Sequence, residues 1–182
     1  KLPPNLHIWA TMNTSDQSLF PMDSAFKRRW QWEYCPICYD EKTEEDVENK
    51  SYEFLIDIQD GKKYRWIDFI KKINLEHIKP EQNLGADKCI GNYFIKPDEG
   101  NTITLKPFIN KVIFYLWNDV FKDEQNKVFE DNTSYEDFFP INTAGKQKVK
   151  EMFTRIGLLP ITDSDSANAD ATDDEQTENT LE

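Results

Sequence analysis

The residues best suited to chemistry lie between Leu6 and Trp30. Asn13 follows a short apolar run, and a basic pair, Arg28 and Arg29, lies near the end of the stretch. An asparagine amide at the tip of a strand can hold an attacking water against a phosphate, and guanidinium groups can stabilise the charge that develops in phosphoryl transfer. The same residues also fit a polar turn and a basic helix end that complements the helix dipole. Both pairs of roles stay open at this point.

Two strands and a short helix are predicted to position these side chains. Residues 5–12 are an apolar run that is too short for a helix, which predicts a buried strand ending at Asn13. Residues 18–29 have apolar positions at helical spacing, and residues 30–34 alternate Trp, Trp and Tyr on one face. We therefore expect a helix that ends in the two arginines and a second strand directly after it.

Two segments within residues 5–34, TMNTSDQS and MDSAFKRRW, resemble the sensor-1 and arginine-finger region of AAA+ NTPases. Among these proteins the segments are most similar to the McrB-type group, the GTP-hydrolysing subunits of 5-methylcytosine-specific restriction systems. The resemblance implies that Asn13 is the sensor-1 residue. It also implies that Arg28 and Arg29 supply an arginine finger, which acts on the nucleotide of a neighbouring subunit. Gln17 stands where the group usually has an arginine, so a role carried by that arginine does not transfer.

A looser resemblance covers residues 67–119, where INLEHI and CIGNYFIKP are similar to the helical lid of the same group. It implies a nucleotide contact from Asn92 or Tyr93, within a motif that is one residue shorter than the group's IGHSYF and lacks its histidine. The alternative is a turn that closes the core of the lid. The sequence does not decide between these two roles.

The fold expected from the resemblance is α/β, a fragment of a P-loop NTPase of the AAA+ class. The last strands of its αβ core (residues 1–40) precede a mainly helical lid with a small β-hairpin (41–160) and a disordered acidic tail (161–182). Within the lid, hydrophobic periodicity and turn residues predict a solvated helix over 41–50, a hairpin of 52–58 and 63–66, helices over 66–76, 104–122 and 144–157, and a turn at 135–139. Leu116 and Trp117 are expected to be buried.

The chain contains six glycines, and none belongs to a GxxxxGK[ST] phosphate loop. No apolar run that ends in paired acidic residues supplies a magnesium site. We therefore expect the chain to be the C-terminal part of a longer protein and to hydrolyse nothing by itself. The resemblance implies that the longer protein hydrolyses GTP or ATP with Mg²⁺, forms a homo-oligomeric ring and drives an McrC-like nuclease subunit on DNA.

The charge distribution favours a second hypothesis of a different class. The 182 residues have a formal net charge of −12, and residues 163–182 carry eight acidic side chains and no basic one. A broadly basic nucleic-acid-binding surface is therefore excluded, and any DNA contact made by this chain would be local. A non-catalytic interaction module that binds a protein partner through its acidic tail would explain the same distribution.

Three cysteines, Cys35, Cys38 and Cys89, are an odd number and make no disulfide framework. Without a signal peptide or a membrane-length apolar run, the sequence predicts a cytoplasmic protein that does not enter membranes. Cys35 and Cys38 form a CxxC, but zinc needs four ligands and no second CxxC follows. We expect no metal site, and we interpret the pair as small buried apolar residues.

Overall fold

The computed structural model describes residues 3, 5–11, 23–122 and 128–162. The chain divides into two compact units, Lys1–Pro36 and Ile37–Glu182, at a point four residues before the boundary expected at residue 40. Asn13, Gln17 and residues 163–182 of the acidic tail lie outside the described residues. Across the described ranges, no helix combines the length and the apolar character needed to cross a membrane.

The two strands predicted in the first unit are not formed by its described residues. Residues 5–11 and 31–36 have no strand pairing, and their large side chains are exposed, Trp9 by 89% and Tyr34 by 80%. The prediction was wrong because a strand needs a neighbour that satisfies its backbone groups, and no described residue of this unit pairs with either segment. The strand that was expected to lead to Asn13 is therefore not formed over the described residues 5–11.

The sheet of the structure lies in the second unit instead. It contains β1 (Leu55–Asp57), β2 (Lys63–Arg65) and β3 (Thr102–Thr104) in the order β2-β1-β3. The antiparallel pair of β1 and β2 confirms the predicted hairpin, whereas β3 lies parallel to β1 and was not predicted. Three residues directly before a helix are too few to show a strand pattern, so β3 could not be recognised.

Helices are the longest regular elements of the second unit. The first unit contains one short helix, α1. In the second unit, the three helices that the periodicity predicted are confirmed. Their bounds are Ser24–Lys27 for α1, Trp66–Lys72 for α2 with a π-helical continuation over Ile73–Ile78, Leu105–Pro107 for α3 with π-helical continuations over Phe108–Ile113 and Leu116–Val120, and Lys146–Arg155 for α4 preceded by π-helical turns over Ile141–Gly145. Single 3₁₀ turns occur at Lys50–Glu53, Ala86–Lys88 and Tyr135–Phe138.

Aromatic side chains join these helices to the sheet. Phe69 of α2 lies 5.2 Å from Phe108 and 5.8 Å from Phe153 of α4, measured between ring centroids. Tyr64 of β2 packs on Phe153 at 4.7 Å. All four residues are buried, so they form the centre of the core. Leu116 is buried as predicted, whereas Trp117 is partly buried and lies edge-on to the ring of Phe129 at 5.3 Å.

The helix predicted over residues 41–50 is not formed, and that prediction was wrong. The segment is a turn in which the N–H of Thr43 donates to the carbonyl of Val47 and the N–H of Asn49 donates to the carbonyl of Glu41, both at 2.8 Å. Asp46 at its tip has a positive φ of 60°. A ten-residue segment that has no apolar face to bury gains too little to stay helical, because short isolated helices are marginal in water.

Candidate functional site

The arginine-bearing turn begins with a short capped helix. Asp23 is the N-cap of α1: its backbone is extended, and its carboxylate accepts a hydrogen bond from the N–H of Phe26 at 2.6 Å. Lys27 occupies the last turn, where a cation interacts favourably with the helix dipole. The indole N–H of Trp32 donates to the carbonyl of Lys27 at 2.9 Å, which folds the chain back over the end of this helix.

Both arginine side chains return to the carbonyl end of α1. Nε of Arg28 donates to the carbonyl of Ser24 at 3.3 Å, and Nη1 of Arg29 donates to the carbonyl of Ala25 at 2.7 Å. Both residues are exposed, and within the described residues no ion pair joins either of them to Asp23. A guanidinium has five N–H donors, so each side chain keeps donors that can meet an anion. The arrangement completes a helix end and also presents two exposed cations.

Asn92 is built into a hydrogen-bond network of the second unit. Its Oδ1 accepts from the N–H of Cys38 at 2.9 Å, and its Nδ2 donates to the carbonyl of Cys38 at 2.5 Å and to Oγ of Ser51 at 3.0 Å. The buried indole of Trp66 donates to the carbonyl of Asn92 at 2.8 Å. Tyr93, the other residue implied to contact a nucleotide, is 55% exposed and lies edge-on to the ring of Phe54.

Asn49 extends this network, and Asn74 forms a separate set of hydrogen bonds in the same unit. Sequence reasoning missed both asparagines. Asn49 is buried, and its Nδ2 donates to the carbonyls of Asp40 at 2.8 Å and Cys38 at 3.3 Å. Asn74 is fully buried and bonds to Ile90. Within the described part of the chain, every buried polar side-chain atom has a hydrogen-bond partner. Only for Asn74 did the sequence hold a sign of burial, because this residue lies next to apolar positions of the helix predicted over residues 66–76.

The cysteines differ from the expectation of two small buried residues. Cys35 is exposed, and the half-buried Cys38 thiol donates weakly to the carbonyls of Asp40 and Lys42, each at 3.4 Å. Burial raises the pKa of the Cys89 thiol, with Lys79 opposing the effect, so Cys89 stays protonated and weakly nucleophilic at neutral pH. No cluster of three or more His, Cys, Asp or Glu side chains suited to a metal occurs among the described residues.

The chain is similar to a curated protein of Bacillus subtilis strain 168, the Type II restriction enzyme BsuMI component YdiS. The two sequences are 40% identical over 125 residues, which make up 67% of this chain and 33% of the relative. The chain thus spans about a third of the length of the relative that it matches. No protein-family model and no solved structure matches the chain. Over two thirds of its residues, this chain is therefore similar to a component of a restriction enzyme.

Proposed function

We propose that this chain is the C-terminal part of an McrB-like AAA+ motor subunit that hydrolyses GTP or ATP to drive a restriction nuclease. The sequence from Thr11 to Trp30 carries the proposal, because it combines the sensor-1-like Asn13 with the basic pair at the end of α1. The similarity to a named component of a restriction enzyme supports a restriction-system protein.

In the proposed reaction, Arg28 and Arg29 act on the nucleotide bound by a neighbouring subunit. The three equatorial oxygens of the transferred phosphoryl group carry charge in the transition state, and guanidinium donors stabilise that charge. The exposure of both side chains supports this role, since a finger must reach beyond its own subunit. Asn13 would orient the attacking water in its own subunit.

The phosphate loop and the acidic magnesium ligands of the proposed enzyme would be supplied by residues outside these 182. The six glycines form no phosphate loop, and the described residues contain no cluster suited to a metal. GTP or ATP with Mg²⁺ would thus bind mainly elsewhere in a homo-oligomeric ring. The net charge of −12 argues that DNA is held by other parts of the complex, including an McrC-like nuclease subunit.

The proposal is tested with the intact gene product that contains this chain. Phosphate release from GTP and from ATP with Mg²⁺ is compared between the wild type and the double variant Arg28→Ala/Arg29→Ala. We expect kcat to fall by about a thousandfold, with the nucleotide Kd unchanged, because a finger contributes mainly in the transition state. Lys71→Ala/Lys150→Ala removes two exposed helical cations and is the charge-matched control. Absence of hydrolysis in the wild type, or wild-type kcat in the arginine variant, would refute the proposal.

A further inference from the structure

Cys38 is held at both of its backbone polar groups by one side chain. The Asn92 amide accepts from its N–H at 2.9 Å and donates to its carbonyl at 2.5 Å, which is the bonding that a neighbouring strand would provide. Residues 37–39 belong to neither a helix nor a strand, so this side chain replaces the missing secondary structure. The segment is thereby fixed at a position where the backbone would otherwise bond to water.

Other buried groups hold the clamping side chain itself. The Trp66 indole fixes the backbone of Asn92, and Ser51, which is fully buried, accepts from its amide and donates to Oδ1 of Asn49 at 2.6 Å. Asn49 in turn donates to the carbonyls of Cys38 and Asp40. The clamp is thus a closed network rather than a single contact, and networks of this kind hold one geometry when every member is satisfied.

The clamped residues begin the second unit. Cys38 is the second residue of the second unit, and the arginine pair lies upstream in the first unit. Any movement of the second unit that is transmitted along the backbone to the arginine-bearing segment must pass through Cys38. Because the backbone is fixed at Cys38, fewer freely rotating residues separate the second unit from Arg29.

We infer that Asn92, supported by Asn49, is a positioning residue that anchors the start of the second unit and thereby couples the lid to Arg28 and Arg29. The coupling rests on the proposed function, whereas the clamp does not. The inference also replaces a nucleotide contact as the role of Asn92. An asparagine amide offers two N–H donors and one oxygen, and the structure uses Nδ2 twice and Oδ1 once within the chain.

The clamp is tested by amide hydrogen exchange in the chain itself. The Cys38 amide should exchange slowly in the wild type, and Asn92→Ala should speed its exchange by about tenfold or more, because the acceptor is lost. Asn101→Ala, which removes an exposed asparagine bonded to Glu53, is the matched control and should leave Cys38 unchanged. Asn49→Ala provides a second variant if Asn92→Ala fails to fold. Rapid exchange at Cys38 in the wild type, or unchanged exchange in the folded variants, would overturn the clamp.

The coupling is tested by hydrolysis in the intact protein. Asn92→Ala should lower kcat severalfold and leave the nucleotide Kd unchanged, whereas a nucleotide-contacting residue would raise the Kd. Faster exchange at Cys38 with wild-type kcat would refute the positioning role and keep the clamp. A wild-type protein that hydrolyses neither GTP nor ATP would refute the proposed function and with it the coupling, and the exchange experiment would still decide the clamp.

Discussion

The Asn74 side chain bonds to both backbone polar groups of Ile90. Its Oδ1 accepts from the N–H of Ile90 at 2.7 Å, and its Nδ2 donates to the carbonyl at 2.8 Å. Both residues are fully buried, and Ile90 lies outside any helix or strand. Asn74 therefore attaches the continuation of α2 to the segment that leads into Asn92. Its Nδ2 also donates to the hydroxyl of Tyr39 at 3.1 Å.

Replacing Asn74 should destabilise the second unit strongly. Asn74→Ala leaves the N–H and the carbonyl of Ile90 buried without partners, and each such group costs about 1–3 kcal/mol. Urea unfolding monitored by circular dichroism measures the loss. Asn118→Ala on the exposed helix surface is the matched control and should change stability by less than about 0.5 kcal/mol. Equal stabilities of the two variants would show that water replaces the lost bonds.

Gly145 permits a close approach between α4 and the 3₁₀ turn before it. A Cβ atom at this position would overlap the carbonyl oxygen of Phe138 and lie 2.8 Å from Cδ1 of Ile109. Gly145→Ala should therefore lower the free energy of unfolding by about 1–3 kcal/mol, as overpacking does. Gly91→Ala is the control, because a Cβ atom there meets nothing within 4 Å. A neutral Gly145→Ala would mean that the turn shifts without cost.

Asp57 should make stability depend on acid pH. Burial alone would raise its pKa, but the Lys63 ammonium at 2.5 Å, the Gln59 N–H and the charge of Lys146 together hold the pKa below its ordinary value of 3.8. A lowered pKa in the folded state gives stability that is present above pH 3.8 and is lost as pH falls through the folded pKa.

The variant Asp57→Asn should thus be less stable than the wild type at pH 7, by less than about 1 kcal/mol because the ion pair is partly exposed. The difference should shrink as pH falls below 3.8. Thermal unfolding between pH 2.5 and 7 measures it, a range chosen as roughly spanning the titration of carboxylates. Asp131→Asn, an exposed loop carboxylate, is the charge-matched control. A difference that is constant over this range would contradict the prediction.

The helices of the second unit were predictable because their signal is local and repeated. Between Leu105 and Val120, buried side chains recur at spacings of three and four residues, which is the period of a helix face. At the end of α4, Gly157 has a φ of 66°, and the N–H of Leu158 donates to the carbonyl of Phe153 at 2.8 Å, which is the geometry of a C-terminal cap.

The strands and the asparagine clamp depend on partners that are distant in sequence. Residues 5–11 have a strand-like composition, but pairing needs a neighbour, and composition does not supply one. Asn49 looks like any loop asparagine, because burial of a polar residue between loops has no period in the sequence. For the arginine pair, the sequence predicted the position at a helix end, while the return of both side chains to the carbonyls of Ser24 and Ala25 is a property of the folded turn.

A mixing experiment distinguishes a finger that acts between subunits from a basic helix end. A mixture of two inactive intact proteins is prepared, one with Arg28→Ala/Arg29→Ala and one with its phosphate loop disabled. Some interfaces of the mixed oligomer then pair intact arginines with an intact loop, and hydrolysis should be partly restored. Phosphate release as a function of the mixing ratio measures the effect, which should be greatest near equal amounts.

Asn13→Ala provides the contrasting case for this experiment. Sensor 1 would serve the nucleotide of its own subunit, so the phosphate-loop variant, which supplies intact arginines to its neighbour, should not rescue the Asn13 variant. If both variants were rescued to the same extent, the arginine pair and Asn13 would both act on the neighbouring subunit's nucleotide, and the assignment of Asn13 to its own subunit would be wrong. A lack of rescue for the arginine variant, in oligomers shown to be mixed by co-purification of differently tagged subunits, would mean that Arg28 and Arg29 only complete the end of α1.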